Sequence, residues 1–110
     1  MSDKQFRPLV YICGDVQGGM EPVREFCRFA LEEGMIPVAP HLLFWQFMDG
    51  GNPEERNLER FMSIILLGKC SEVWVLGDVI GDMEEEIGVA KRRRQPVRYF
   101  DSKFREVEAL

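Results

Sequence analysis

The chain has 110 residues, 45% of them hydrophobic and 30% charged, with a net charge of −5; that is one domain's length with enough apolar side chain for a core. The negative charge argues against a nucleic-acid polymer as partner, and the basic run Lys91-Arg92-Arg93-Arg94 is too short to reverse that. No stretch is long and apolar enough for a membrane span and the first residues lack the core of a secretory signal, so no membrane partner and a cytoplasmic location are expected.

In chain order, Leu9 to Cys13 form a continuous apolar run, the pattern of a strand buried on both faces. Met20 to Glu33 places Val23, Phe26, Cys27, Ala30 and Leu31 at helical spacing, with Pro22 in the first turn and Gly34 as the stop. Met35 to Ala39 reads as a short second strand. A long aromatic connection follows, "HLLFWQFMDGGNP". Asn52 and Pro53 then read as N-cap and first residue of a helix ending near Gly68. Its apolar face is predicted from Leu58, Phe61, Met62, Ile65 and Leu66, which repeat at i, i+3, i+4, i+7 and i+8. "EVWVLGD" is a third buried strand. Asp82 to Arg93 is a third helix, with Asp82 and Glu85 as a capping box. "PVRYF" is a fourth strand, and residues 101–110 are a polar tail with room for one short helix.

The order βαβαβαβ predicts one α/β domain, flavodoxin- or Rossmann-like: an open parallel sheet of about four strands with helices on both faces. In such sheets ligands bind beyond the carboxyl ends of the strands. Loops 14–19, 40–52 and 77–82 gather there.

Gly14, Gly18 and Gly19 let the backbone approach a ligand and turn into a helix N-terminus. Their spacing matches neither GxGxxG nor a P-loop, and it equally serves a plain strand-to-helix turn. Asp15 repels phosphate and suits sugar hydroxyls better. On the helical wheel Met83, Ile87 and Ala90 mark the buried face of the third helix, and Glu86 falls among them. A buried carboxylate is costly unless paired or partly wetted by a site. The alternative is an exposed or snorkelling glutamate. His41 and Asp78 lie at the same sheet edge, each open to a ligand contact or to a local structural bond. Trp45 and Phe47 suit a stacked base, a core cover or a subunit contact. Cys13, Cys27 and Cys70 are isolated among apolar residues, and with a single histidine and no CxxC pair they read as buried free thiols. No metal or cofactor is expected.

"YICGDVQGG" and "EIGVA" resemble the nucleoside 2-deoxyribosyltransferase superfamily, which includes the 2'-deoxynucleoside 5'-phosphate N-hydrolases. "PHLLF…PEER…VWVLGD…EI" is similar to small uncharacterised deoxyribosyltransferase-like proteins. The resemblance implies a single domain over 1–110 with its core at about 8–100. It implies N-glycosidic bond hydrolysis or deoxyribosyl transfer, with Glu86 as nucleophile and Tyr11 orienting it. A carboxylate suits that chemistry because it traps an oxocarbenium-like centre. Gly14, Asp15, Gln17, Gly18 and Gly19 would lie along the sugar or its phosphate, with His41 or Asp78 near the base. A small nucleoside or nucleotide is the implied ligand and a homodimer or higher homo-oligomer the implied assembly, the aromatic loop Phe44 to Met48 offering a contact.

The departures favour a different substrate or a different role. Nucleotide hydrolases of the group carry serine and arginine where this chain has Asp15 and Gln17. The acid expected in the second long helix falls at about Ser63, and Asp82 replaces a usual glycine. These differences keep open a non-catalytic nucleotide- or nucleotide-sugar-binding domain on the same fold.

Overall fold

The computed structural model describes residues 6–108. Its sheet has five strands in the order β2-β1-β3-β4-β5. They are β1 (Leu9–Cys13), β2 (Ile36–Val38), β3 (Glu72–Leu76), β4 (Val97–Phe100) and β5 (Glu106–Val107). The first four are parallel, and only β5 runs antiparallel, against β4. The predicted parallel α/β sheet with helices on both faces is therefore present, with one short strand added where a tail or helix was expected. That strand exists because Asp101 closes a hairpin: its carboxylate accepts from the amides of Lys103 and Arg105 and brings Arg105 back beside β4.

Alternation along β1 separates two cores. Val10 and Ile12 face α1 (Glu21–Glu32), whose Val23, Phe26 and Ala30 pack on Trp74 and Phe100. Trp74 and Phe100 lie 4.9 Å apart, and Phe26 meets Phe104 at 5.3 Å, so rings fill most of this layer. Tyr11 and Cys13 face the other side. There they meet Leu67 at the end of α3 (Pro53–Leu67) and Met83, Ile87 and Ala90 of α4 (Asp82–Arg92). Cys13 and Cys70 are buried free thiols, while Cys27 is only half-buried, because it sits at the flank of α1 rather than on its core face.

The connection after β2 is more ordered than expected. Pro40–Leu43 form a short helix, α2, followed by a 3₁₀ turn at Phe44–Gln46. Pro40 opens α2 at a position where its missing N–H costs nothing. Asn52 caps α3 as predicted, its Oδ1 accepting from the amides of Glu54 (2.9 Å) and Glu55 (3.4 Å). Asn52→Ala is expected to lower stability by about 1 kcal/mol, and Asn52→Ser to restore most of it, read as denaturant midpoints.

Two helix predictions need correction. Asp82 does not cap α4. Gly81 does, at φ +53°, a conformation that suits glycine, and Asp82 lies inside the first turn with its carboxylate 3.5 Å from Arg60 Nε. The packed face of α3 is also turned away from the one expected, and of the predicted residues Met62 and Leu66 are half-buried. Glu59, Ser63 and Leu67 are buried, while Leu58, Phe61 and Ile65 are exposed.

Candidate functional site

Four elements bring their polar side chains to one point at the carboxyl edge of the sheet. Tyr11 and Cys13 project from the same face of β1 because they are two residues apart. Glu86 sits on the buried face of α4, at 3% exposure, one turn beyond the helix start. Glu59 and Ser63 are one turn apart on the inner face of α3. His41, in the first turn of α2, stands between the two glutamates.

The bonds form one network. Nδ1–H of His41 donates to Glu59 Oε2 at 2.6 Å, and Nε2–H donates to Glu86 Oε2 at 2.7 Å. The Tyr11 hydroxyl donates to the same Glu86 oxygen. Cys13 Sγ donates to the other oxygen, Oε1, at 3.3 Å. Ser63 Oγ donates to Glu59 Oε2 at 2.9 Å. Glu86 thus accepts from three side chains. One oxygen carries two strong donors and the other only a thiol, which is a weak donor.

Burial and charge settle the protonation of the donors. Burial alone would lower the His41 pKa, but its hydrogen bonds to Glu59 and Glu86, with their negative charge, outweigh it and raise the value from 6.5 to about 10. His41 is therefore an imidazolium near neutral pH, donating at both ends. Burial opposes ionisation of Glu59, yet the His41 bond and charge win and hold it below its ordinary value. Tyr11 and Cys13 are pushed up by burial first and by Glu86 second, so both keep their protons and remain donors.

Beside the network lies an open cavity of about 680 Å³. Glu59, His41 and Glu86 reach its wall, and all three predicted loops contribute to it, through Gly14, Asp15 and Gln17, through Trp45 and Gly50, and through Ile80 to Asp82. Trp45 supplies a flat apolar wall. Arg56 and Arg60 lie on the α3 side, and Arg60 is tied to α4 through Glu85 at 2.6 Å and Asp82 at 3.5 Å.

The sequence-predicted residues separate into three groups. Glu86, His41, Gly14, Asp15 and Gln17 share this cavity, and Tyr11 lies fully buried beneath Glu86. Gly18 and Gly19 are outside its lining and turn the chain into α1, Gly19 at φ +128°. Asp78 lines a different cavity, with Glu84, Lys91 and Tyr99. Gly14 also has a packing role: a β-carbon there would stand 3.2 Å from Val23 Cγ2. Asp15 accepts from the Gln17 amide at 3.0 Å, so its carboxylate braces its own loop as well as facing the cavity.

Glu59 was not among the predicted residues. The family resemblance puts an acid at about Ser63, and the structure has one a turn earlier, at Glu59, with Ser63 bonded to it. The available signal was the line Glu59, Ser63, Leu67 at i, i+4 and i+8, which ends in a core leucine. Among the described residues no three His, Cys, Asp or Glu side chains are placed to hold a metal ion. No helix among them is long and apolar enough to cross a membrane.

Residues 8–100 match the model of a family described as a domain of unknown function, DUF7768. A search of curated proteins returns no match. Among solved structures, the 2-deoxyribosyltransferase from the psychrotolerant bacterium Bacillus psychrosaccharolyticus is similar, with a TM-score of 0.72 at 14% identity. The alignment covers 91% of this chain and 77% of that one. At this identity the likeness is one of fold: both chains carry a deoxyribosyltransferase-like α/β sheet.

Proposed function

The chain belongs to the DUF7768 family, a description that names no reaction, and on the chemistry of the Glu86 network we propose that it cleaves or transfers at the N-glycosidic bond of a nucleoside. The observation that carries this is the state of Glu86. It is a nearly buried carboxylate that reaches an open cavity, is fixed by Tyr11, Cys13 and His41, and keeps one lightly bonded oxygen. A carboxylate so held is a positioned nucleophile. The fold shared with a 2-deoxyribosyltransferase supports the same class of reaction.

In the proposed reaction Oε1 attacks the anomeric carbon. The bond to the base breaks, and the base leaves with the bonding pair and takes a proton from solvent, which the attacking water or incoming base gives back in the second step. The Glu86 charge is consumed as the ester forms, while Tyr11 and His41 hold the remaining oxygen. Water or a second base then attacks the same carbon and frees the carboxylate. Glu59 acts on His41, not on the sugar: it holds the imidazolium in place and in charge. Gly14, Asp15 and Gln17 flank the sugar, and Trp45 is the surface on which a base would stack. Asp15, with no cationic side chain from its loop, favours a free nucleoside over a 5'-monophosphate.

A second reading is a non-catalytic nucleotide- or nucleotide-sugar-binding domain, favoured by Arg56 on the α3 side of the cavity, a cation that suits a phosphate. The two separate on one experiment. The protein is incubated with ribo- and deoxynucleosides and their 5'-monophosphates, and free base is followed by chromatography. Base released from nucleosides in preference to monophosphates is the expected result. Thermal stabilisation by these ligands with no base released would establish the binding domain instead.

A further inference from the structure

The cavity has a second pole, on its α3 side, that the Glu86 network leaves unused. Trp45 and Arg56 are joined there through Gly50, and all three residues line the cavity. A β-carbon on Gly50 would lie 3.9 Å from Cε3 and Cζ3 of Trp45, so the Gly50 backbone stands against the ring and puts no side chain on it. Arg56 Nη1 donates to the Gly50 carbonyl at 2.7 Å. One short loop thus ties an aromatic ring to a guanidinium.

The two arginines of this wall differ in what they already hold. Arg60 is taken up by Glu85 and Asp82. Arg56 is exposed, and among the described residues it is in no ion pair and its side chain makes no bond besides the one to Gly50. A guanidinium presents several N–H donors in a planar fork and accepts nothing, so the rest of the Arg56 fork requires acceptors. Charge narrows the kind of acceptor. Four carboxylates, Asp15, Glu59, Asp82 and Glu86, line the cavity against three cations, His41, Arg56 and Arg60. That balance suits a neutral acceptor better than a phosphate dianion.

We propose that Arg56 selects the base, and that the substrates are 6-oxopurine nucleosides stacked on Trp45 with O6 and N7 turned to the guanidinium. The inference rests on the base site at Trp45 given above and adds the identity of the base. O6 and N7 of a 6-oxopurine both accept, side by side, and match the fork. A 6-aminopurine puts an N–H donor in place of O6, and uracil or thymine offers O4 alone on that edge.

The test is isothermal titration calorimetry of the full chain with free hypoxanthine and free adenine, which share a ring system and differ at position 6. Wild type is expected to bind hypoxanthine about tenfold more tightly than adenine. Arg56→Ala is expected to abolish that preference by weakening hypoxanthine, with adenine changed less than about twofold. Arg56→Lys keeps the charge without the fork and is expected to retain a preference of about threefold at most. Equal affinity for the two bases, no binding of hypoxanthine, or a preference that survives Arg56→Ala would each overturn the proposal. Full preference in Arg56→Lys would overturn the role of the fork. Inorganic phosphate bound through Arg56 in place of hypoxanthine would assign the residue to a phosphate instead. Base release from inosine and adenosine is followed separately. Release without a hypoxanthine preference overturns this inference alone, whereas an Arg56-dependent preference without release overturns only the reaction.

Discussion

Glu86→Gln is expected to lower base release by about four orders of magnitude while the protein stays folded. Glutamine has the shape of glutamate, and its amide oxygen still accepts from Tyr11. It has no charge to form an ester at the anomeric carbon. The amide also removes one of the two anions beside His41, so the imidazole loses part of what raises its pKa. Base release and the thermal midpoint should be measured together. A purely structural role would lower the midpoint and leave the rate per folded molecule unchanged. Release at the wild-type rate would remove Glu86 from the reaction.

His41→Gln is expected to have the largest combined effect. It leaves Glu59 and Glu86, both nearly buried, without the cation between them. Breaking a buried charged network by deleting one partner costs about 3–5 kcal/mol, a large part of a small domain's stability. Base release is expected to fall about 100-fold beyond that loss, through disorder of Glu86. The pH dependence gives an independent reading. The folded-state pKa of His41 is raised, so its contribution to stability is full below 6.5 and is lost as pH rises through about 10. Glu59 is lowered, so its contribution is present above 4.5 and is lost as pH falls below that. Wild-type stability from this network is therefore fullest between about pH 4.5 and 6.5. Denaturant midpoints of wild type should decline from pH 6.5 toward 10. In His41→Gln that decline should flatten, and an equal decline in both proteins would contradict the charge assigned to His41.

Much of the fold was legible because its strands carry continuous apolar runs and its helices carry local signals. Asn52 with Pro53 marks α3 at both the cap and the first turn. Glu86 was legible on the wheel because Met83, Ile87 and Ala90 define the buried face around it. Glu59 was not, and the reason is physical. It is buried because it bonds His41 and Ser63, and a hydrophobicity pattern does not register a partner 18 residues upstream. The same pattern chose Leu58, Phe61 and Ile65 for the core because it assumes that a helix hides its apolar side. The antiparallel β5 was missed because two residues carry too little pattern, and the hairpin depends on Asp101 bonding forward into its own turn. Residue type alone points to Asp82 as the cap, whereas Gly81 is the residue whose backbone the turn requires.

The network also spans the chain in an unusual way. Tyr11 and Glu86 are 75 residues apart, Cys13 and Glu86 73, and His41 and Glu86 45. Each of these bonds closes a long loop, and loop closure is costly until the intervening chain is already ordered. β1 meets β3 only after β2 and three helices, α1 to α3, have been laid aside, and α4 follows β3. The carboxylate therefore acquires its donors late, when the sheet is nearly complete. During synthesis, a nascent chain that has not yet passed Glu86 holds Tyr11, His41 and Glu59 with no fourth partner, and assembly of this centre coincides with completion of the fold.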